Sequence, residues 1–263
     1  MPAFLSDGVE IAFLDAASTN AASHKLPVLL IHGFASNLNT NWVSTGWVRV
    51  LTAAGHRVIA FDNRGHGGSQ KLHGLEDYGA PLMAEDARRL LDHLGITRAL
   101  VMGYSMGARI SAFLVLRHPV RVASVVFGGL GVNMVRGMAS GGDAIAEALE
   151  APSLEDVTDP GGRVFRMFAE QTKSDLLALA ACMRSARDPI TAEAIAKIQR
   201  PVMVAVGTDD VVAGSGSELA ALIPGARNFD IIGREHMKAV GDPTFKAAVV
   251  DFWASQTSEG ESS

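Results

Sequence analysis

A serine set between two glycines is the residue of this chain best placed to do chemistry. Ser105 lies at the centre of Gly103-Tyr104-Ser105-Met106-Gly107. Ala99-Leu100-Val101-Met102, just before it, is an apolar run that reads as a buried strand. Ala108 to Arg117, just after it, favours helix, with Pro119 past its end. Outside a strand–turn–helix context G-x-S-x-G is only a Gly-rich turn; within it, the motif carries a chemical meaning. A turn this sharp crowds any Cβ at its flanks, hence the two glycines, and it leaves the serine Oγ exposed. The next backbone N–H, that of Met106, aims at the same point. A serine hydroxyl is a weak nucleophile and needs a base, and the base needs an acid to orient it. Two downstream segments supply such residues, each after its own apolar run. Gly207-Thr208-Asp209-Asp210 follows Pro201 to Val206, and Gly233-Arg234-Glu235-His236 follows Asn228 to Ile232. Ser105, one of the two aspartates and His236 form a set suited to acyl transfer through a covalent intermediate.

Such residues can meet only if a scaffold brings three distant segments to one edge. The opening residues 3–15 alternate around Asp7-Gly8 and predict a β-hairpin. Strands are then predicted at 27–32, 57–62, 99–104, 122–128, 201–206 and 227–232. Helices are predicted between most of them, at 44–54, 81–94, 106–117, 215–223 and 244–255. Strands alternating with helices imply an α/β chain with a mostly parallel central sheet flanked by helices. In open sheets of this kind, sites form beyond the C-terminal ends of the strands, where all three candidate residues fall. The alternation stops after Gly128-Gly129-Leu130-Gly131. The next 70 or so residues read as helices at 142–150, 161–171, 174–187 and 191–198. The chain thus divides into a first core part (1–131), a helical insertion (132–200), a second core part (201–255) and a polar tail (256–263) expected to be disordered.

Composition narrows the remaining possibilities. The 263 residues suffice for one large core with a small insertion. A formal net charge of −5 is too mild to point to nucleic acid or to a polybasic membrane surface. The single cysteine, Cys182, allows no internal disulfide. The N-terminus has no basic, apolar leader pattern, and no run reaches the roughly 18 apolar residues of a membrane span. A cytoplasmic location, a small-molecule substrate and no membrane or nucleic-acid partner are expected; oligomeric state is left open. No histidine pair has metal-ligand spacing with carboxylates nearby, so neither a metal nor another cofactor is expected. His32 and His66 read as structural, and His24, His56, His73, His93 and His118 as solvated.

The chain resembles the α/β-hydrolase superfamily of esterases and lipases across nearly all of residues 5–255. The order Ser105, acid, His236 is that family's order. Leu29-Leu30-Ile31-His32-Gly33-Phe34 resembles its strand-plus-HGF turn, and Asp62-Asn63-Arg64-Gly65-His66-Gly67-Gly68-Ser69 its DxRGHGxS turn. The resemblance implies an α/β-hydrolase fold and an oxyanion hole formed by the backbone N–H groups of Phe34 and Met106. It places the acid at the end of G-x-x-D, hence Asp210, with Asp209 the alternative. It also implies that the insertion is a cap roofing the site. Met134, Met138, Phe165, Met167, Phe168 and Met183 are its candidate pocket residues, against the plainer reading that they pack cap on core.

Members with aspartate at the elbow, the dehalogenases and epoxide hydrolases, form alkyl esters; serine implies an acyl-enzyme instead. The expected activity is hydrolysis of a small carboxylic ester or lactone. Arg109, one helical turn after the nucleophile, opens an alternative. Its planar fork suits a substrate carboxylate, which would fit a carbon–carbon hydrolase or an eliminase. The plain reading of Arg109 is a salt-bridged helix residue. A non-catalytic receptor of the same fold is the third possibility.

Overall fold

The computed structural model describes residues 1–20, 22–137, 141–185 and 189–259. Eight strands form one sheet: β1 (Ala3–Ser6), β2 (Val9–Ala16), β3 (Val28–Ile31), β4 (Val58–Phe61), β5 (Ala99–Tyr104), β6 (Val122–Gly128), β7 (Val202–Gly207) and β8 (Arg227–Ile231). Their order is β1-β2-β4-β3-β5-β6-β7-β8. The β1–β2 and β2–β4 pairings are antiparallel and all others parallel. Asp7 and Gly8, both at positive φ (52° and 82°), make the two-residue hairpin turn that the sequence predicts.

Helices cover both faces of the sheet. They are α1 (Trp47–Ala53), α2 (Ala80–His93), α3 (Met106–Arg117), α4 (Asn133–Arg136), α5 (Gly141–Glu150), α6 (Pro160–Gln171), α7 (Leu176–Arg184), α8 (Ala192–Ile195), α9 (Gly216–Ala221), α10 (His236–Ala239) and α11 (Pro243–Glu259). Because successive side chains of a strand point to opposite faces, each central strand feeds two cores. Leu29, Ile31, Val101 and Val204 pack with Leu90 and Leu91 of α2 and with Ile110 and Leu114 of α3. Val28, Leu30, Met102 and Met203 pack with Trp47 of α1 and with Phe245 and Trp253 of α11. This double burial explains why the central strands read as continuous apolar runs.

Several predicted elements differ in extent, two of them in ways that matter here. The helix expected over 44–54 is shortened to α1 at Trp47–Ala53, and a π-helical turn that the sequence reading did not predict precedes it at Asn39–Val43, with Gly46 at φ 84° between the two. α11 runs on through Glu259, so residues 256–259 are helical and do not belong to a disordered tail. Residues 260–263 lie outside those described. Helix elongation costs less per residue than nucleation, so a well-docked helix extends past its last buried anchor, Trp253.

The segment between β6 and β7 carries α4 to α8, with no strand among its described residues. It is tied to the core near the HGF turn. The Thr172 hydroxyl donates to the Ala35 carbonyl at 2.9 Å, and the Phe165 ring meets Phe34 edge-on at 5.9 Å.

Candidate active site

Ser105 begins the turn from β5 into α3 at φ 54° and ψ −114°, a conformation that non-glycine residues rarely adopt. Close packing enforces the corner. A Cβ on Gly103 would sit 2.0 Å from the Gly107 carbonyl oxygen, and one on Gly107 2.0 Å from that of Ile31. The Ser105 N–H is anchored to the Gly128 carbonyl of β6 at 2.8 Å. The site therefore belongs to the rigid centre of the sheet.

Segments after β7 and β8 bring the other two side chains to it. Ser105 Oγ lies 3.0 Å from His236 Nε2, and His236 Nδ1 lies 2.7 Å from Asp210 Oδ2. The Asp210 side chain has no solvent-exposed surface, and that of His236 keeps only 9%. Asp210 Oδ1 accepts the N–H groups of Val212 and Ala213, each at 2.9 Å, which fixes the carboxylate. With an acceptor at Oδ2, the imidazole carries its proton on Nδ1 and leaves Nε2 free to accept from the serine. Asp209, the alternative acid, is exposed, and its carboxylate accepts from the Thr208 hydroxyl at 3.2 Å. The arrangement can therefore relay a proton from Ser105 into a buried, pre-oriented imidazole.

Tyr104 escaped the sequence reading because it is a variable position of the motif. Its hydroxyl donates to the His236 carbonyl at 2.6 Å and its ring packs on the imidazole at 5.6 Å, so the elbow itself holds His236 in place.

The HGF turn lies beside the elbow. Ala35 is at φ 57°, a second non-glycine residue in left-handed backbone next to the site. The Gly33 N–H donates to Asn41 Oδ1 at 3.2 Å. Among the described residues the backbone N–H groups of Phe34 and Met106 donate to no protein acceptor. Asp62 supports this turn from behind, accepting the N–H groups of Leu38 and Gly68 at 2.7 Å each. Arg64 and Asp86 form a bidentate, fully buried pair beneath it.

His32 and His66 are completely buried, and burial holds their pKa values down to about 4 and about 3. His32 donates from Nδ1 to the Gly33 carbonyl at 2.7 Å and accepts the Asn63 N–H at Nε2, so the neutral ring bridges the HGF and DxRGHGxS turns. Unfolded, both rings protonate near the ordinary 6.5. Below that pH the unfolded chain binds more protons than the folded one, so stability falls as pH is lowered. The urea midpoint is expected to drop between about pH 7 and 5, above the range where most carboxylates titrate. A midpoint flat over that interval would contradict the neutral burial of these rings. His56, which reads as solvated, is also buried, its Nδ1 2.8 Å from the Leu26 carbonyl.

Two cavities open from Ser105. The smaller, of about 120 Å³, is lined by His236, Phe168, Ser36, Thr40, Asn41 and Thr45, among others. The larger, of about 290 Å³, is lined by Met106, Arg109, Leu130, Val135, Cys182 and Met183, among others. Phe34 and Phe165, like Ser105, line both. Arg109 is thus in a cavity wall, its Nη2 donating to the Met134 carbonyl at 2.9 Å. Met134, expected in the pocket, is instead fully buried and lines neither cavity. The short α4 turns its side chain into the core, and its backbone rather than its thioether meets Arg109. Met167 is substantially exposed, and Met138 lies outside the described residues.

Among the described residues no group of three or more His, Cys, Asp or Glu comes together as metal ligands, and no helix is long and apolar enough to cross a membrane.

A sequence model described as "alpha/beta hydrolase fold" matches residues 27–188. Epoxide hydrolase B of Mycobacterium tuberculosis is 35% identical over 113 residues, which are 40% of this chain and 30% of that protein. The matches to epoxide hydrolase B and to the acetyltransferase component of an acetoin cleaving system from Pseudomonas putida span only 30% and 25% of those proteins' length. The crystal structure of a hydrolase from Pseudomonas aeruginosa PA01 superposes with a TM-score of 0.78 at 27% identity, covering 95% of this chain and 97% of that one. The enol-lactonase from Burkholderia xenovorans LB400 shares the fold with a TM-score of 0.77 at 22% identity, covering 96% and 100%.

Proposed function

Because the chain belongs to the alpha/beta hydrolase fold family and is an enzyme of that family, we propose that it is a serine hydrolase cleaving a small carboxylic ester or lactone. The observation that carries this reading is the Ser105–His236–Asp210 chain of contacts, 3.0 and 2.7 Å long, with the serine on its strained corner. Ser105 Oγ attacks the carbonyl carbon while His236 Nε2 takes its proton. The Phe34 and Met106 N–H groups bind the oxyanion, at about 3 kcal/mol per donor. The tetrahedral intermediate collapses to acyl-Ser105, and His236 returns the proton to the leaving oxygen. Water then attacks the acyl group with His236 as base, releasing the acid and restoring the serine.

This proton return orients the substrate. His236 borders the smaller cavity and not the larger, so the leaving group belongs in the smaller and the acyl group in the larger. Phe168→Ala should then change leaving-group preference, and Met183→Ala acyl-length preference. Each change should be worth about 1–3 kcal/mol between competing substrates. A panel of esters varied separately on the two sides, together with lactones, checks this. Equal effects on both sides from either change would contradict the orientation.

A second reading, carbon–carbon hydrolysis or elimination on a carboxylated substrate, draws on the place of Arg109 in the acyl-side wall. If Arg109 bound that carboxylate, Arg109→Ala would cost carboxylated substrates about 2–3 kcal/mol in kcat/KM and spare neutral esters. The Met134 contact favours a supporting role instead, so both substrate types are expected to respond alike.

A further inference from the structure

We propose that Asn41 reads the leaving group: its side-chain N–H binds an oxygen acceptor carried by the alcohol portion of the substrate in the smaller cavity. This rests on the serine-hydrolase reading and adds a specificity residue to it.

Asn41 occupies a π-helical turn, Asn39–Val43, closed by the Ser44 N–H donating to the Asn39 carbonyl at 2.8 Å. Such turns are rare and concentrate at functional sites. The Asn41 main chain is pinned, its N–H donating to the Asn37 carbonyl and its carbonyl accepting the Thr45 hydroxyl at 2.7 Å. The residue as a whole is 95% buried, with a relative exposure of 5%. One arm of the amide is committed, since Oδ1 accepts the Gly33 N–H at 3.2 Å. That bond fixes the orientation of the amide, because the reverse would set two donors against each other. The other arm, Nδ2, is buried and has no hydrogen-bond partner among the described residues.

Buried amide N–H groups are rarely left unpaired, because an unmet donor carries its full desolvation cost. Here the unmet donor belongs to a residue that lines the same cavity as Ser105 and His236. The cavity holds about 120 Å³, room for about four water-sized groups at roughly 30 Å³ each. Its wall mixes Ser36, Thr40 and Asn41 with Phe168 and Val240, which suits a short alcohol bearing an ether, hydroxyl or carbonyl oxygen. The ligand class is therefore an ester whose small leaving group carries a second oxygen, or a lactone with an oxygen substituent on its alkoxy side.

The test compares two esters of one acyl group, 2-methoxyethyl and n-butyl, which have nearly the same shape but differ in one acceptor. Their kcat/KM ratio is measured in the wild type, Asn41→Leu and Asn41→Asp. Intrinsic leaving-group reactivity cancels when ratios are compared between enzymes. Asn41→Leu removes both amide functions, whereas Asn41→Asp keeps an acceptor for Gly33 and removes the donor. The methoxyethyl preference is expected to fall at least about fivefold in both variants, the loss of one neutral hydrogen bond. A purely positioning role gives another pattern: both esters slow equally in Asn41→Leu and recover in Asn41→Asp, with the ratio unmoved. That result overturns the proposal, and Asn41→Asp alone suffices should Asn41→Leu fail to fold. Turnover of neither ester by a wild type whose Ser105 reacts with a fluorophosphonate also overturns it, because the cavity then rejects this class of leaving group. If Ser105 does not react at all, the serine-hydrolase reading fails and takes this proposal with it. An unmoved ratio in an active enzyme removes only the role of Asn41.

Discussion

Ser105→Ala is expected to lower ester kcat by about 10⁴–10⁶ while leaving the fold intact, the scale on which removing the nucleophile of such a relay acts. The substitution removes one hydroxyl whose only side-chain bond among the described residues is to His236. It also leaves the glycines and the backbone bond to Gly128 that shape the corner. Alanine still has to adopt φ 54°, so a small change in melting temperature is expected, without a change in secondary structure. Steady-state kinetics beside circular dichroism check both halves. Retention of more than about a hundredth of wild-type kcat would contradict Ser105 as nucleophile.

Asp210→Asn is expected to lower kcat by up to roughly 10⁴, with Asp209→Asn nearly neutral. The geometry gives the reason. Asparagine at 210 would keep an oxygen for the Val212 and Ala213 N–H groups and so turn its NH₂ towards His236 Nδ1. Facing a donor, the imidazole would move its proton to Nε2, the atom that must accept from Ser105. The side chains would stay in place and the proton relay would run the wrong way. Among the described residues the exposed Asp209 side chain bonds only to the Thr208 hydroxyl, and it has no such lever. If Asp209→Asn proved the crippling change, the G-x-x-D register would be off by one.

The central sheet was legible in the sequence because its strands are buried on both faces. β5 and β6 have the bounds that their apolar runs predict. The positions of Ser105 and His236 were legible for a related reason, since each follows an apolar run and a glycine-containing turn. Choosing between Asp209 and Asp210 needed the family resemblance, because adjacent aspartates have no periodicity to separate them. What stayed hidden depends on long-range packing. The π-helical turn that isolates Asn41 has no pattern that distinguishes it from the start of an α-helix. Met134 and Phe168 read alike as apolar residues of the insertion. Only the placement of α4 against the core and of α6 over Ser105 sends one into the interior and the other to the cavity wall. Tyr104 holds His236 through its hydroxyl across 132 residues of sequence, a contact that no local motif records.

The central claim is that Ser105 carries the acyl group in a covalent intermediate. Mass spectrometry of the protein after rapid acid quench, with a p-nitrophenyl ester in excess, tests it most directly. The expected result is an added mass equal to the acyl group, located on the peptide containing Ser105. It should be absent in Ser105→Ala and should persist longer in Asp210→Asn, where deacylation is slowed. A fluorophosphonate should modify the same peptide and block acylation. Ester turnover with no adduct on Ser105, or with the adduct on another residue, would contradict the account.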